Sequence, residues 1–183
     1  MLEQDIAAGC LKGDRNAQKL LYETYGESLL AVCYRYLGNR EEAEDLLHDG
    51  FIRIFTNFNH FVWKGEGSLK AWTDQVMRNT VLMYIRKQHY WLDTSGLEEA
   101  TMIEDSEPEN ASDIPFEVLL EIISELPPRF RLVFNLYVID GHSHQEIAKI
   151  LGIKEKASSS LLSKAKKALA SKILKWRDKD ETK

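Results

Sequence analysis

The sequence lacks a long hydrophobic run, and its longest uninterrupted apolar stretch covers only Leu29–Tyr34. A helix needs about 20 apolar residues to cross a bilayer, so this stretch predicts no membrane insertion. The first residues, MLEQDIAAGCLKGDR, contain no basic region followed by an apolar stretch. They therefore do not resemble a secretory signal, and we expect a cytoplasmic protein.

Cysteine is also scarce, with Cys10 and Cys33 as the only two. Their spacing is not that of metal ligands, so we expect two reduced, structural thiols. His142, His144 and Glu146 are close in sequence, but the histidines fall at a turn and a helix start, and no third ligand follows at helical spacing. We therefore predict no metal site and no cofactor.

Basic residues are outnumbered: 24 Lys and Arg stand against 29 Asp and Glu, a net charge of −5. This balance argues at first against a nucleic-acid partner, because phosphate neutralisation supplies most non-specific affinity. The charge is uneven, however. Residues 1–92 carry a net −1, residues 93–115 carry 8 acids and no base, and residues 116–183 carry a net +4. The acidity is concentrated in a central segment, and the C-terminal segment is basic.

The central segment, residues 93–115, is rich in Ser, Pro, Asn and acids and has no sustained apolar period. Such a composition is typical of a linker that is extended by self-repulsion. The flanking segments show helical periodicity and no convincing strand pattern. We therefore predict an all-α fold of two small helical domains, residues 1–92 and 116–183, joined by an acidic linker.

Three helices are predicted in the first domain. The first spans about residues 14–37 and is capped by Asp14. The second begins after Asn39, which with Glu42 resembles a helix cap and its reciprocal partner. The third spans about residues 68–89. Apolar residues recur at intervals of three and four in the first two helices, which indicates that one face of each is buried.

The second domain is predicted to begin with two short helices, over residues 116–126 and 128–140. Pro127 and Pro128 separate them, because proline suits the first turn of a helix and disfavours helix immediately before it. Gly141 ends the second of these helices.

A helix-turn-helix pattern follows. Ser143 and Glu146 form a capping-box sequence, and Gly152 can adopt the left-handed conformation that reverses the chain. A long helix over about residues 154–176 comes next, and its polar face carries hydroxyl and lysine side chains that suit phosphates and base edges. We predict that this face contacts duplex DNA through Lys156, Ser158, Ser159, Ser160, Ser163, Lys164 and Lys167. The alternative is a plain helical hairpin with a solvated lysine face.

Three segments, taken together, resemble one protein family. AEDLLHDGFIRIF, AWTDQVMRNTVLMYIRK and ELPPRFRLVFNLYVIDGHSHQEIAKILGIK occur in this order, with the acidic segment between the second and the third. This arrangement is similar to that of bacterial RNA polymerase sigma factors of the sigma-70 family, extracytoplasmic-function type. The resemblance covers about residues 14–92 and 116–175. It implies region 2 at residues 1–92 and region 4, a helix-turn-helix (winged-helix-like) domain, at residues 116–183.

The resemblance implies that the AED helix binds the clamp helices of the largest subunit of core RNA polymerase. That surface would be the exposed side of residues 40–57. Its members share one outward face of the predicted helix: Asp45, His48, Asp49, Ile52 and Arg53. Without the resemblance, the same residues would be a solvated charged face.

The resemblance also implies that the next segment melts the downstream promoter element and reads it as single-stranded DNA. Aromatic groups for unstacked bases beside a basic track suit that task. The matching residues are Phe61, Trp63, Lys64, Arg78, Asn79, Arg86, Lys87 and Trp91. Trp72 is expected in the core. Met83 stands where the family often has an acid.

The helix-turn-helix would read the upstream promoter element as duplex. The family frequently has basic residues where Ser159 and Leu161 stand, and arginine where Lys164 and Lys166 stand. Because lysine cannot form the arginine fork on guanine, we expect readout to depend more on phosphates, serines and DNA shape.

The resemblance predicts a non-catalytic initiation subunit, with core RNA polymerase, promoter DNA and an anti-sigma factor as partners. The acidic linker would thread toward the polymerase cleft or serve as a plain tether. The alternatives are a stand-alone helix-turn-helix regulator, a helical protein-binding adaptor, and a metal-dependent hydrolase around His142, His144 and Glu146. The hydrolase lacks a nucleophile elbow and a phosphate-binding glycine loop.

Overall fold

The computed structural model of the chain describes residues 2–88 and 114–180. Within these ranges the ordered elements are helical and no strand is present. The predicted all-α class is therefore confirmed, and the helix-turn-helix has no β-wing among the described residues. Most of the predicted linker, residues 93–113, lies outside the described ranges. By its contacts the chain divides into two compact units, one of Met1–Tyr34 with Asn39–Tyr84 and one of Arg35–Gly38 with Ile85–Lys183.

The helices before residue 89 follow the predicted caps. They are α1 (Glu3–Leu11), α2 (Arg15–Leu37), α3 (Arg40–Thr56), a 3₁₀ turn at Phe58–His60, and α4 (Ser68–Gln88). Asp14 caps α2, where its Oδ1 accepts the Asn16 N–H at 2.7 Å. Asn39 caps α3 by accepting the Glu42 N–H at 3.1 Å. Neither α1 nor the 3₁₀ turn was predicted from the sequence.

The core of the first unit is apolar and lies among α1, α2, α3 and α4. Its fully buried side chains include Leu21, Leu29, Ile54, Leu69 and Met77. Gly50 of α3 faces the Met77 thioether of α4 so closely that a Cβ there would collide with it. The small residue therefore lets α3 and α4 approach, and this approach sets the direction in which the opposite face of α3 points.

After residue 113 the helices are α5 (Phe116–Ser124), α6 (Pro128–Phe134), a π-helical segment (Asn135–Ile139), α7 (His144–Leu151) and α8 (Glu155–Asp180). The sequence predicted one α-helix over 128–140, and this is wrong in its second half. The Asp140 N–H bonds the Asn135 carbonyl five residues back, at 2.9 Å. Asn135 is fully buried, and its amide donates to the Arg35 and Arg131 carbonyls. Widened helical turns of this kind recur where a side chain occupies the helical hydrogen-bond ladder.

The second unit has a buried cation, Arg131, on α6. Its guanidinium donates to the carbonyls of Tyr36, Leu37, Ser124 and Leu126, at distances between 2.6 and 2.8 Å. Burying a guanidinium is costly unless its donors are bonded, and here five-donor geometry meets four carbonyls. This single side chain therefore satisfies the carbonyls at the ends of α2 and α5.

Candidate nucleic-acid interface

The helix-turn-helix of α7 and α8 is assembled by local contacts that the sequence predicted. Ser143 Oγ accepts the Glu146 N–H at 3.2 Å, and the Glu146 carboxylate accepts the Ser143 N–H at 2.8 Å. These bonds from Ser143 hold the pKa of Glu146 below its usual range. Gly152 has a φ of 66°, and the next N–H, of Ile153, bonds the Ala148 carbonyl at 3.1 Å. The capping box and the left-handed turn together fix the angle at which α8 leaves α7.

The face of α8 that lies opposite the core is polar and basic. The core side consists of Leu162, Ala165, Leu169 and Ile173, all buried. The predicted DNA contacts that are exposed share the first three turns of the helix, and they are Lys156, Ser159, Ser160, Ser163 and Lys164. Lys167 is half-buried. Hydroxyls and ammonium groups on one face can bond phosphate oxygens and base edges in a groove.

Ser158 does not belong to that face. Its side chain is fully buried, and its Oγ lies 3.0 Å from His144 Nδ1. The His144 ring stacks on Tyr137, with 4.4 Å between the ring centroids. The prediction that Ser158 contacts DNA is therefore wrong, because its hydroxyl is used between α7 and α8. The signal was present in the sequence, since Ser158 lies four residues before Leu162 and so continues the apolar stripe of α8.

The outward face of α3 carries every residue predicted to bind polymerase. Asp45, His48, Asp49, Ile52 and Arg53 are all exposed, whereas Ala43, Leu46, Leu47, Phe51 and Ile54 on the other side are buried. Ile52 is 63% exposed, an apolar side chain among charges. Arg53 Nη1 lies 3.4 Å from the Met83 sulfur. A thioether is a weak acceptor, so Met83 gives Arg53 no counter-charge.

The loop between the 3₁₀ turn and α4 brings Phe61, Trp63 and Lys64 together. Phe61 is half-buried, and its ring lies 5.5 Å from that of Phe58 and 5.4 Å from that of Trp72. Trp72 also packs edge-on against Phe58, in line with the core position predicted for it. Lys64 is exposed and Trp63 is half-buried. Phe61 therefore anchors the loop from below, and Trp63 with Lys64 is the part that can meet a base and a phosphate.

The remaining predicted single-strand contacts lie on or after α4. Asn79, Arg86 and Lys87 are exposed, and Arg78 is half-buried. Gln75 bonds both Arg78 and Asn79, at 3.1 and 3.2 Å. Arg86 Nε donates to the Ile150 carbonyl at 3.2 Å. The prediction for Trp91 lies outside the described residues.

Glu3 is a residue of this region that sequence reasoning missed. Its carboxylate accepts the N–H groups of Gly67 and Lys70, at the start of α4, and the Tyr25 hydroxyl of α2. Burial alone would raise the pKa of Glu3, but these hydrogen bonds hold it below the ordinary value of 4.5. Burial, together with the bond to Glu3, raises the pKa of Tyr25 to about 12. A bond across more than sixty residues leaves no local pattern in the sequence.

Metal sites and membrane spans are both absent from the described part of the chain. In residues 2–88 and 114–180, no group of three or more His, Cys, Asp and Glu side chains is arranged to hold a metal ion. Across the same ranges, none of the helices combines the length and apolar character that crossing a membrane requires.

Comparison with known proteins places both halves of the chain. Residues 21–90 match the model of Sigma-70 region 2, and residues 116–169 match that of Sigma-70, region 4. The chain is 30% identical over 173 residues to the ECF RNA polymerase sigma factor SigW of Bacillus subtilis, covering 88% of this chain and 91% of that protein. It is 24% identical over 184 residues to the ECF RNA polymerase sigma-E factor of Escherichia coli, covering 94% and 95%.

Among solved structures, CnrH in complex with the cytosolic domain of CnrY aligns with 93% of this chain and 96% of its own, at 21% identity and a TM-score of 0.47. The two sigma-70 regions, matched in chain order, favour a sigma factor over a stand-alone regulator or an adaptor. The chain therefore belongs to the extracytoplasmic-function sigma factors of the sigma-70 family, and it is a promoter-recognising factor that directs transcription initiation.

Proposed function

We propose that the chain binds core RNA polymerase through the outward face of α3, against the clamp helices of the largest subunit. The face has two acids, Asp45 and Asp49, one helical turn apart, with the exposed Ile52 beside them. An exposed apolar side chain within a charged face is a feature of partner surfaces. The acids would steer the encounter, and Ile52 would be buried on binding.

The second contact is with the downstream promoter element as single-stranded DNA. Trp63 would stack on an unpaired base, and Lys64 with Arg78, Arg86 and Lys87 would neutralise the strand's phosphates. Asn79, exposed on α4, has both a donor and an acceptor for a base edge. The support for this proposal is that an aromatic group and a lysine neighbour each other on a loop anchored by the Phe58, Phe61 and Trp72 rings.

The third contact is with the upstream promoter element as duplex, through the exposed face of α8. Its serines and lysines form hydrogen bonds and point charges but no guanidinium fork, so phosphate contacts would exceed base contacts. The chain's net charge of −5 implies weak binding to DNA without polymerase. Polymerase would hold both DNA-binding surfaces in place and supply most of the phosphate contacts.

The protein would have no catalytic step of its own, since the polymerase carries out RNA synthesis. It would act in the cytoplasm, where polymerase and promoters are present. Membership of the family favours an anti-sigma factor that covers these surfaces and holds the protein inactive. Residues 93–115, with 8 acids and no base, would lie as a polyanion toward the polymerase cleft.

The observation that carries the docking proposal is the single exposed face of α3, which is tested by charge reversal. The double variant Asp45→Lys with Asp49→Lys should lose core polymerase binding by on the order of a hundredfold, measured by titration with labelled protein. Its circular dichroism and unfolding midpoint should stay unchanged, because both positions are exposed. Glu23→Lys with Glu27→Lys, exposed acids on α2, is the matched control. Wild-type affinity in the α3 variant would refute this docking face.

A further inference from the structure

Helix α4 begins without the residues that usually cap a helix. Its N-cap position is Gly67, which has no side chain, and its third helical residue is Lys70, which cannot accept a hydrogen bond. In an ordinary capping box, the N-cap side chain accepts the N–H of the third residue, and the third residue's carboxylate accepts the N–H of the N-cap. Neither bond can form from within α4.

Glu3 supplies both bonds from a different helix. One carboxylate oxygen accepts the Gly67 N–H, and the other accepts the Lys70 N–H at 3.0 Å. The second oxygen also accepts the Tyr25 hydroxyl at 3.1 Å, which joins α2 to the same group. The negative charge lies at the positive end of α4. Glu3 thus completes a capping box for a helix that begins 64 residues or more further along the chain.

The loop that this cap holds is the one that carries Trp63 and Lys64. Inside the loop, Ser68 Oγ donates to the Gly65 carbonyl at 2.6 Å and accepts the Lys64 N–H at 3.3 Å. Gly65 and Gly67 have φ values of 107° and 82°, conformations that only glycine adopts readily. Two flexible glycines give the loop many conformations when it is free, and Glu3 bonds to the second of them.

We propose that Glu3 is the positioning residue of this loop: it selects the conformation in which Trp63 and Lys64 meet the unpaired strand, and so sets how strictly the downstream element is read. This inference rests on the proposed single-strand contact. The aromatic cluster holds the beginning of the loop, and Glu3 holds its end. Without Glu3, Trp63 and Lys64 remain exposed but are no longer fixed relative to Asn79 on α4.

A carboxylate is required for this role. Glutamine keeps the size of the side chain but places an NH₂ donor against an N–H donor, so Glu3→Gln loses one of the two bonds and the charge. Asp5 on the same helix provides a matched control, because its carboxylate bonds only the neighbouring Leu2 N–H, at 3.2 Å, within the described part of the chain. Tyr25→Phe removes the bond from α2 and leaves both bonds to α4.

The test uses holoenzyme assembled from core polymerase and the full-length variants, with fork-junction DNA whose downstream element is single-stranded. For Glu3→Gln we expect unchanged core binding, a roughly tenfold loss of fork-junction affinity, and a smaller preference for the cognate base over a substituted one. Asp5→Asn should match the wild type. Amide hydrogen exchange at Gly67 and Lys70 should accelerate in Glu3→Gln, which reports the released loop independently of DNA.

The inference is overturned if Glu3→Gln exchanges faster at Gly67 and Lys70 yet keeps wild-type affinity and base preference. It is equally overturned if exchange is unchanged, because the cap would then not hold the loop. Should Glu3→Gln fail to fold, Tyr25→Phe is read in the same way, with a smaller expected loss. Trp63→Ala separates the two levels: if it has no effect on fork-junction binding, the proposed single-strand contact itself has failed.

Discussion

The Oγ atom of Ser158, fully buried at the start of α8, lies 3.0 Å from the Nδ1 atom of His144 on α7. This bond joins the two helices of the helix-turn-helix near the point where the DNA-facing surface begins. The three consecutive serines, Ser158, Ser159 and Ser160, therefore divide their roles. The first is structural, and the other two are exposed toward the proposed groove.

Replacing Ser158 and Ser159 separately should distinguish these roles. Ser158→Ala removes a hydrogen bond between buried groups and should lower the free energy of unfolding by about 1 kcal/mol. Ser159→Ala should change it by less than about 0.5 kcal/mol, since the residue is exposed. Urea unfolding measures both. A promoter-binding defect in Ser158→Ala at full folding, with none in Ser159→Ala, would reverse this assignment.

The lysines of α8 should act through phosphates. Lys164→Ala with Lys167→Ala should weaken holoenzyme binding to the upstream element nearly equally for cognate and altered sequences. The slope of log affinity against log salt should fall by about 1 for each phosphate that is no longer neutralised. Lys175→Ala with Lys179→Ala, exposed lysines near the other end of α8, is the control of equal charge. A loss confined to the cognate sequence would show base readout instead.

The buried Arg131 should be essential for stability. Arg131→Met keeps much of the side-chain volume but leaves the carbonyls of Tyr36, Leu37, Ser124 and Leu126 without their donor. Unsatisfied buried acceptors are costly, and we expect a loss of about 3 kcal/mol or more in the free energy of unfolding. Arg129→Met, a half-buried arginine on the same helix, should cost far less. Equal losses would contradict the role given to Arg131.

The cap made by Glu3 should depend on pH. Its folded-state pKa lies below the ordinary 4.5, so its contribution to stability is present above that value and is lost as pH falls through the folded pKa. The free energy of unfolding of the wild type should therefore decline more steeply below about pH 4.5 than that of Glu3→Gln. Denaturation series at several pH values measure the two slopes. Parallel slopes would mean that Glu3 is not preferentially bonded in its charged form.

Local signals predicted most of the fold. The caps at Asp14, Asn39 and Ser143 and the left-handed Gly152 act within one helical turn, so short sequence windows contain them. The exposed face of α3 also followed from its three- and four-residue spacing. The residues expected on that face are all exposed, although their contact with polymerase stays a prediction.

What the sequence did not predict depends on contacts between distant residues. The cap at Glu3 joins α1 to α4, and the π-helical turn forms where Asn135 bonds Arg35, a hundred residues away. Neither contact changes the local periodicity. Ser158 differs from these, because its position in the apolar stripe of α8 was visible, and the polar side chain outweighed the spacing in the interpretation.

Transcription from a randomised promoter library tests most directly whether this chain directs initiation by contacting polymerase and two promoter elements. Core polymerase is mixed with the full chain, and the transcripts are sequenced. We predict start sites that depend on the chain and share two sequence elements, the downstream one more strictly conserved than the upstream one. Starts that are the same with and without the chain would contradict this function.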